Sequence, residues 1–133
     1  MSVEERDRFL AEPRIAKLCY LREDGSPTVV PLWFEWDGKE ARAFTSGRSP
    51  KIGHLERDPR VALSVETVTG EPEAWVTIEG QAVIEDGGWE VARRLAPRYY
   101  SEEKARQALA SWEKAAGDWV TVRIVPEHIR SLA

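Results

Sequence analysis

Residues 27–60 read PTVVPLWFEWDGKEARAFTSGRSPKIGHLERDPR, and this stretch contains the pattern that decides the fold. Residues 28–36 are aliphatic and aromatic on both faces, which predicts a strand that is buried on both sides. Asp37-Gly38 is a strong hairpin signal, and residues 40–46 then return as the next strand. The stretch therefore begins as a hairpin of two strands.

A short helix is expected directly after this hairpin. Ser49 is a typical N-cap residue, and Pro50 is favoured at the first helical position. Ile52 and Leu55 lie three residues apart on one face of the helix, which should end before Pro59. The sequence therefore predicts a strand–helix junction with an exposed helix N-terminus.

The rest of the chain adds strands with period-two alternation and a helical region near the C-terminus. Gly80 interrupts one long strand, which predicts a bulge or a close backbone approach. The predicted strands are 15–21, 61–65, 76–84 and 120–124, and the predicted helices are 3–12, 89–98 (broken near Pro97) and 101–117. With the two hairpin strands, this gives a mainly β, α+β fold: a six-stranded antiparallel split β-barrel with short helices inserted between strands.

Length and composition limit the class of protein. At 133 residues, with 42% hydrophobic and 32% charged residues, the chain is expected to be one domain spanning 1–133. It has no apolar run long enough for a transmembrane helix, and its charged N-terminus lacks a signal core, so we expect a cytoplasmic protein with no membrane partner. Cys19, His54 and His128 are too few and too separated for a structural zinc site, so no metal is expected.

The end of the second hairpin strand and the start of the helix concentrate hydroxyls and cations. Between Arg42 and Arg60 the local charge balance is +3 in a chain of net charge −4, so the remainder carries −7. A helix N-terminus favours an anion, and neighbouring cations strengthen that preference. One interpretation is a phosphate site, and the other is a solvated, capped helix that happens to be basic. No nucleotide-binding glycine loop and no nucleic-acid motif is present.

The six tryptophans allow two interpretations. Trp33 and Trp36 lie on opposite strand faces, and Trp75 and Trp119 are out of phase with the inward aliphatic residues of their strands. These rings either pack within the domain or form an apolar surface that pairs with a second subunit. We expect the second arrangement, with Trp75 and Trp119 in a homodimer interface.

No side-chain pattern predicts nucleophilic or acid–base catalysis. His54 lies near Lys51 on the short helix, but no Ser or Cys stands in a nucleophile elbow and no Asp is placed to orient the imidazole. The catalytic residues are therefore unknown from the sequence.

Several motifs follow one another in an order that is typical of one known family. They are VVPLWF at 29–34, DG at 37–38, FTSGRSPK at 44–51, LERDPRVALSV at 55–65 and VTIEGQAVI at 76–84. In this order and spacing the chain resembles the pyridoxamine 5′-phosphate oxidase-like family, the flavin-binding split barrels, over residues 15–130. The resemblance implies a split barrel that dimerises, with cofactor sites in clefts between the subunits.

The resemblance also implies which residues hold the cofactor. Hydroxyls and a cation after the third strand hold its phosphate, and the second strand lies along its ring. In this sequence the phosphate residues are Thr45, Ser46, Ser49 and Lys51, with Arg48 as a helper, and the ring residues are Pro31, Leu32 and Trp33. Thr28 and Trp33 stand where true pyridoxamine phosphate oxidases carry basic residues, so that particular oxidation is not expected.

The function implied is an oxidoreductase that transfers a hydride between a flavin-type cofactor and a small-molecule substrate. FMN is the first expectation, because the basic window has only two well-placed cations, which suits a single terminal phosphate. The alternatives are a reductase that uses the deazaflavin coenzyme F420 and a non-catalytic protein that binds or stores flavin, deazaflavin or haem. An interaction domain whose basic helix start is accidental is a third possibility.

Overall fold

The computed structural model describes residues 1–132 as a curled antiparallel sheet of seven strands with four α-helices. In chain order the elements are α1 Val3–Ala11, β1 Ala16–Leu21, β2 Pro27–Leu32, β3 Glu35–Trp36, β4 Ala41–Ser46, α2 Pro50–Arg57, β5 Arg60–Glu66, β6 Trp75–Glu85, α3 Gly88–Tyr99, α4 Glu102–Trp112, a 3₁₀ helix Ala116–Asp118 and β7 Trp119–Leu132. The mainly β, α+β class predicted from the sequence is confirmed.

The prediction of six strands was wrong by one, because residues 28–36 do not form a single strand. They divide into β2 and β3 at a corner formed by Trp33 and Phe34. Phe34 is fully buried, and its backbone N–H donates to the hydroxyl of Tyr99 at 3.3 Å instead of joining a strand ladder. The strand order is β2-β1-β5-β6-β7-β4-β3, so β2 and β3 are the two edges of a half-barrel sheet, and no ladder closes it into a complete barrel within residues 1–132.

The core lies inside the curl of the sheet. Val61, Leu63 and Val65 alternate inward on β5 as expected, and Leu63 and Val65 are fully buried. Ile52 and Leu55 of α2 are also buried, and Ser49 caps this helix as predicted. The apolar face of α2 is therefore anchored to the core, which fixes the position of Lys51 on its first turn.

Gly80 produces the close backbone approach that was predicted for it. The register between β6 and β7 shifts between Glu79 and Gly80. A Cβ atom at Gly80 would lie 2.0 Å from the carbonyl oxygen of Val125, a distance that no side chain tolerates. Pro126 lies opposite Gly80 at this irregular pair, where a missing N–H is tolerated. This explains why β7 continues through Pro126 to Leu132, whereas the sequence predicted that the strand stops before the proline.

Two predicted helix boundaries also differ from the structure. α3 is not broken near Pro97 but continues to Tyr99, because Pro97 is exposed in the last turn, where water can bind the freed carbonyl. α4 ends at Trp112 rather than at Gly117, and the 3₁₀ helix follows it. Among residues 1–132, no helix has the length and apolar character needed to cross a membrane.

Candidate functional site

A cavity of about 310 Å³ opens where the end of β2, β4, the start of α2 and the α3–α4 pair meet. Its lining consists of aromatic and aliphatic side chains and a single cation: Pro31, Leu32, Trp33, Phe44, Lys51, Tyr100 and Trp112. The structure thus brings together four of the eight residues predicted for the cofactor, which are the three of the ring segment and Lys51.

Lys51 is the charged group of this cavity. Its side chain is half-buried, and the loss of water around the ammonium lowers its pKa from the ordinary 10.5. Burial is the sole cause of this shift, because within residues 1–132 no carboxylate or hydrogen-bond acceptor compensates the charge. A half-buried ammonium without an anion is costly, and a bound anion would remove much of that cost.

The wall of the cavity is built from stacked aromatic rings. Trp33 stacks on Tyr99 with centroids 4.8 Å apart and an interplanar angle of 2°. Tyr100 meets Trp33 edge-on, also at 4.8 Å. Trp112 lies 6.1 Å from Trp33 and 6.2 Å from Phe44. These faces present apolar, π-rich surface, which suits a flat conjugated ligand.

The hydroxyl of Tyr99 holds this wall in place. It donates to the carbonyl oxygen of Arg14 at 2.7 Å and accepts from the N–H of Phe34 at 3.3 Å. Burial raises the pKa of Tyr99, so the group stays protonated and remains a donor. The corner that carries Trp33 is therefore fixed by a residue 65 positions away in the sequence.

A second cavity, of about 590 Å³, contains the predicted residues Ser46 and Arg48. Lys114, Asp118 and Trp119 also line it, together with Ala115 and Gly117. Arg48 is largely exposed and pairs with Asp118 at 3.2 Å. This cavity lies beside the first, because Trp119 in its lining contacts Phe44 at 5.3 Å and Trp112 at 5.8 Å.

The predicted hydroxyls are used for local structure. Ser49 accepts from the N–H of Lys51 at 3.4 Å and caps α2, and Ser46 accepts from the N–H of Arg48 at 3.1 Å. Thr45 lies in the β4–β7 ladder opposite Val120 and lines neither cavity. The structure therefore does not collect all the predicted phosphate residues in one place.

The sequence reasoning missed Phe44, Tyr100, Trp112 and Lys114. Trp112 is the last residue of α4, where the sequence indicates a helix and no contact with a ligand. Tyr100 and Lys114 lie just beyond helices, where the local pattern gives no indication of a binding role. Their contribution depends on how α3 and α4 pack onto β4, which no local sequence signal reveals.

The two tryptophans expected at a subunit interface have different surroundings. Trp119 stacks on Phe44 at 5.3 Å and contacts Trp89 and Trp112, so rings of the same chain cover it. Trp75 is half-buried at the opposite end of the sheet, paired with the exposed Leu132.

Comparison with known proteins gives consistent results. The sequence profile of the pyridoxamine 5′-phosphate oxidase family matches residues 2–133. An F420H2-dependent biliverdin reductase of Mycobacterium tuberculosis is 36% identical over 96 residues, covering 68% of this chain and 67% of that protein.

Two solved structures have the same architecture. A conserved hypothetical protein of Mycobacterium tuberculosis superposes with a TM-score of 0.76 at 28% identity, covering 98% of this chain and 84% of the other. A protein described as an F420 reductase superposes with a TM-score of 0.73 at 25% identity, covering 93% of this chain and 94% of the other. Together with the family match, these results show that the chain belongs to the pyridoxamine 5′-phosphate oxidase-like family of FMN-binding split barrels, which includes F420-dependent reductases.

Proposed function

We propose that this protein is a deazaflavin-dependent reductase that uses coenzyme F420 to reduce a small conjugated substrate. The observation that carries the proposal is the half-buried, unpaired ammonium of Lys51 in a cavity otherwise walled by aromatic and aliphatic side chains. A planar ring joined to a phosphate matches both features of this lining. The 36% identity to an F420H2-dependent enzyme favours F420 over FMN, which was the first expectation from the sequence.

The residues of the cavity fit such a cofactor. Lys51 would hold the phosphate charge, with the capped N-terminus of α2 beside it. Pro31, Leu32 and Trp33 would lie along the ring. The proposal keeps the predicted role of three hydroxyls as donors to the phosphate: those of Thr45, Ser46 and Ser49. Thr45, however, lines neither cavity in the structure.

The second cavity favours F420 on grounds of charge. F420 carries an acidic tail beyond its phosphate, and FMN does not. Arg48 and Lys114 line the cavity next to the Lys51 site, opposed by the single carboxylate of Asp118. Its lining therefore has a net charge of +1, which suits an acidic extension.

When bound in its reduced form, the cofactor supplies a hydride, and the substrate takes up one proton to complete a two-electron reduction. The aromatic wall would exclude water from the reacting faces, and Lys51 would hold the anionic end in place. No side chain need act as a strong acid or base, in agreement with the absence of a catalytic dyad from the sequence. Biliverdin, the substrate named for the relative, is the first substrate to test.

We also propose a homodimer in which the outer face of the β2-β1-β5-β6 side of the sheet is covered by a second copy. Val29 is 60% exposed on this face, next to Cys19 on β1. Trp75 and Leu132 lie on the same face at the β6–β7 end. Light scattering on the wild type should give twice the monomer mass. Trp75→Glu should lower the measured mass toward that of the monomer. A monomeric wild type at micromolar concentration would contradict this assembly.

Titration of the purified protein with F420 and with FMN tests the cofactor assignment. Lys51→Ala should weaken F420 binding about ten- to a hundredfold, since a hydrogen bond to a charged group contributes about 1.5–3 kcal/mol. Lys39→Ala is the matched control, because Lys39 is exposed on the β3–β4 hairpin and the variant loses the same charge. Equal affinity of Lys51→Ala and wild type would place the site elsewhere.

The preference for F420 is tested separately at Lys114. Lys114→Ala should weaken F420 binding several-fold at low salt and leave FMN binding unchanged, because FMN lacks the acidic tail. Tighter binding of FMN than of F420 by the wild type would restore the FMN-dependent oxidoreductase. Binding of cofactor or haem without turnover of biliverdin or other acceptors would favour the storage protein.

A further inference from the structure

Helix α4 is weakly anchored along most of its length. Of its eleven residues only Ala105 is buried, and the helix packs mainly on α3. Tyr100 and Ser101 connect it to α3, and the turn that ends in the 3₁₀ helix follows it. Such a helix can move as a unit more easily than the core elements, because little buried apolar surface is lost when it does.

Its last residue, Trp112, forms one wall of the cavity. The Trp112 ring lies within 5.8–6.5 Å of four other aromatic rings, which are those of Trp33, Phe44, Tyr100 and Trp119. The same ring lines the cavity together with Lys51. One ring on a movable helix thus forms part of the wall of a site that is otherwise built on the sheet, α2 and the end of α3.

The cavity is shallow and open to solvent, and it is too small to surround two flat molecules stacked on each other. Its volume of about 310 Å³ is at the lower end of the range for a single small-molecule ligand. A cofactor ring and a second flat molecule stacked on it need more space than this. Phe44 is held in the β4–β7 ladder, and Tyr99 holds the corner that carries Trp33. Trp112, in contrast, is held by ring contacts and by α4 alone.

We propose that Trp112 is the residue that determines which substrates the site admits: it moves outward with α4 to admit a flat conjugated molecule and sets the largest ring system that enters. The substrate class is therefore planar, π-conjugated compounds, which stack on the aromatic rings that become accessible when Trp112 moves outward. This inference rests on the proposed cofactor site and assigns its substrate side.

The test uses three aromatic sulfonates that carry the same charge and differ in flat area: benzenesulfonate, naphthalene-2-sulfonate and anthracene-2-sulfonate. Association rates are measured by stopped-flow fluorescence on F420-loaded protein. Trp112→Ala should speed association of the three-ring probe about tenfold or more and change that of the one-ring probe less than threefold. The F420 dissociation constant of Trp112→Ala is measured alongside, and it should rise less than that of Lys51→Ala.

Trp89→Phe and Trp112→Phe form the matched pair of controls. Trp89 contacts Trp119 but does not line this cavity, so its variant should behave as wild type. Trp112→Phe should have an intermediate effect. Amide hydrogen exchange gives a readout independent of binding rates: the three-ring probe should increase exchange in residues 102–112 and leave residues 88–99 unchanged.

An unchanged or slower association of the three-ring probe with Trp112→Ala would overturn the proposal, because Trp112 would then be a fixed wall. A loss of F420 affinity as large as that of Lys51→Ala would also overturn it, by assigning Trp112 to the cofactor. If wild type binds neither F420 nor FMN, the proposed function fails, and the same probe series on the unloaded protein still decides the role of Trp112.

Discussion

Replacing Tyr99 by Phe removes one oxygen atom that joins three segments of the chain. That hydroxyl donates to the carbonyl of Arg14 at 2.7 Å and accepts from the N–H of Phe34 at 3.3 Å. The substitution keeps the ring and its stack on Trp33, so it separates the hydrogen bonds from the packing. Two part-buried backbone groups then lack this partner.

The expected cost follows from those two bonds. Leaving a buried donor or acceptor unsatisfied costs about 1–3 kcal/mol, and the longer bond to Phe34 contributes less than the short one to Arg14. We therefore expect a loss of about 2 kcal/mol in the free energy of unfolding. For a chain of this length that loss corresponds to a decrease of roughly 6–10 °C in Tm.

Urea unfolding followed by tryptophan fluorescence measures this loss, with an unchanged m-value as the sign that only stability has changed. Tyr100→Phe is the matched control, because the Tyr100 hydroxyl makes no hydrogen bond within residues 1–132, and this variant should stay within about 0.5 kcal/mol of wild type. Equal stability of Tyr99→Phe and wild type would refute the view that the Tyr99 hydroxyl fixes the β2–β3 corner.

Three further predictions concern backbone space and pH. Gly80→Ala should lower the free energy of unfolding by more than about 3 kcal/mol, because the new Cβ meets the Val125 carbonyl. Gly53→Ala in α2 should raise it by about 0.5–1 kcal/mol, because the new Cβ meets no atom within 4 Å. Urea unfolding measures both changes. Cofactor affinity should fall as the pH rises through the lowered pKa of Lys51, because only the ammonium form binds the anion. In Lys51→Met this dependence on pH should be absent or much weaker, as measured by cofactor titrations at a series of pH values. Arg14 lowers the pKa of Glu71 to about 2, so this pair stabilises the folded state above pH 4.5, and the stabilisation is lost as the pH falls toward 2. In Glu71→Gln, stability should therefore depend less steeply on pH in that window, as measured by acid unfolding.

The parts of the fold that the sequence predicted depend on local signals. The Asp37-Gly38 turn, the Ser49 cap and the alternation of β5 each involve residues close together in the chain, and the structure confirms them. The failures involve distant partners. Residues 28–36 divide because Tyr99 binds Phe34, and β7 passes through Pro126 because Gly80 faces it across the sheet.

The same division holds for the candidate site. Lys51 and the segment Pro31–Trp33 were predicted from motif order, and the structure places them around one cavity. Trp112 and Lys114 come from a helix and a turn more than sixty residues later in the chain than Lys51. A count of charges within a local window cannot include them, because tertiary packing alone brings them to α2.

This omission affected the choice between the two cofactors. The preference for FMN depended on the presence of only two well-placed cations between Arg42 and Arg60, with no basic groove for an acidic tail. The structure places Lys114 and Arg48 in one cavity, and Trp119 of that cavity contacts Phe44 and Trp112 of the Lys51 cavity. Once this third cation is included, the argument from charge supports the proposal of F420, because coenzyme F420 is anionic beyond its phosphate and FMN is not.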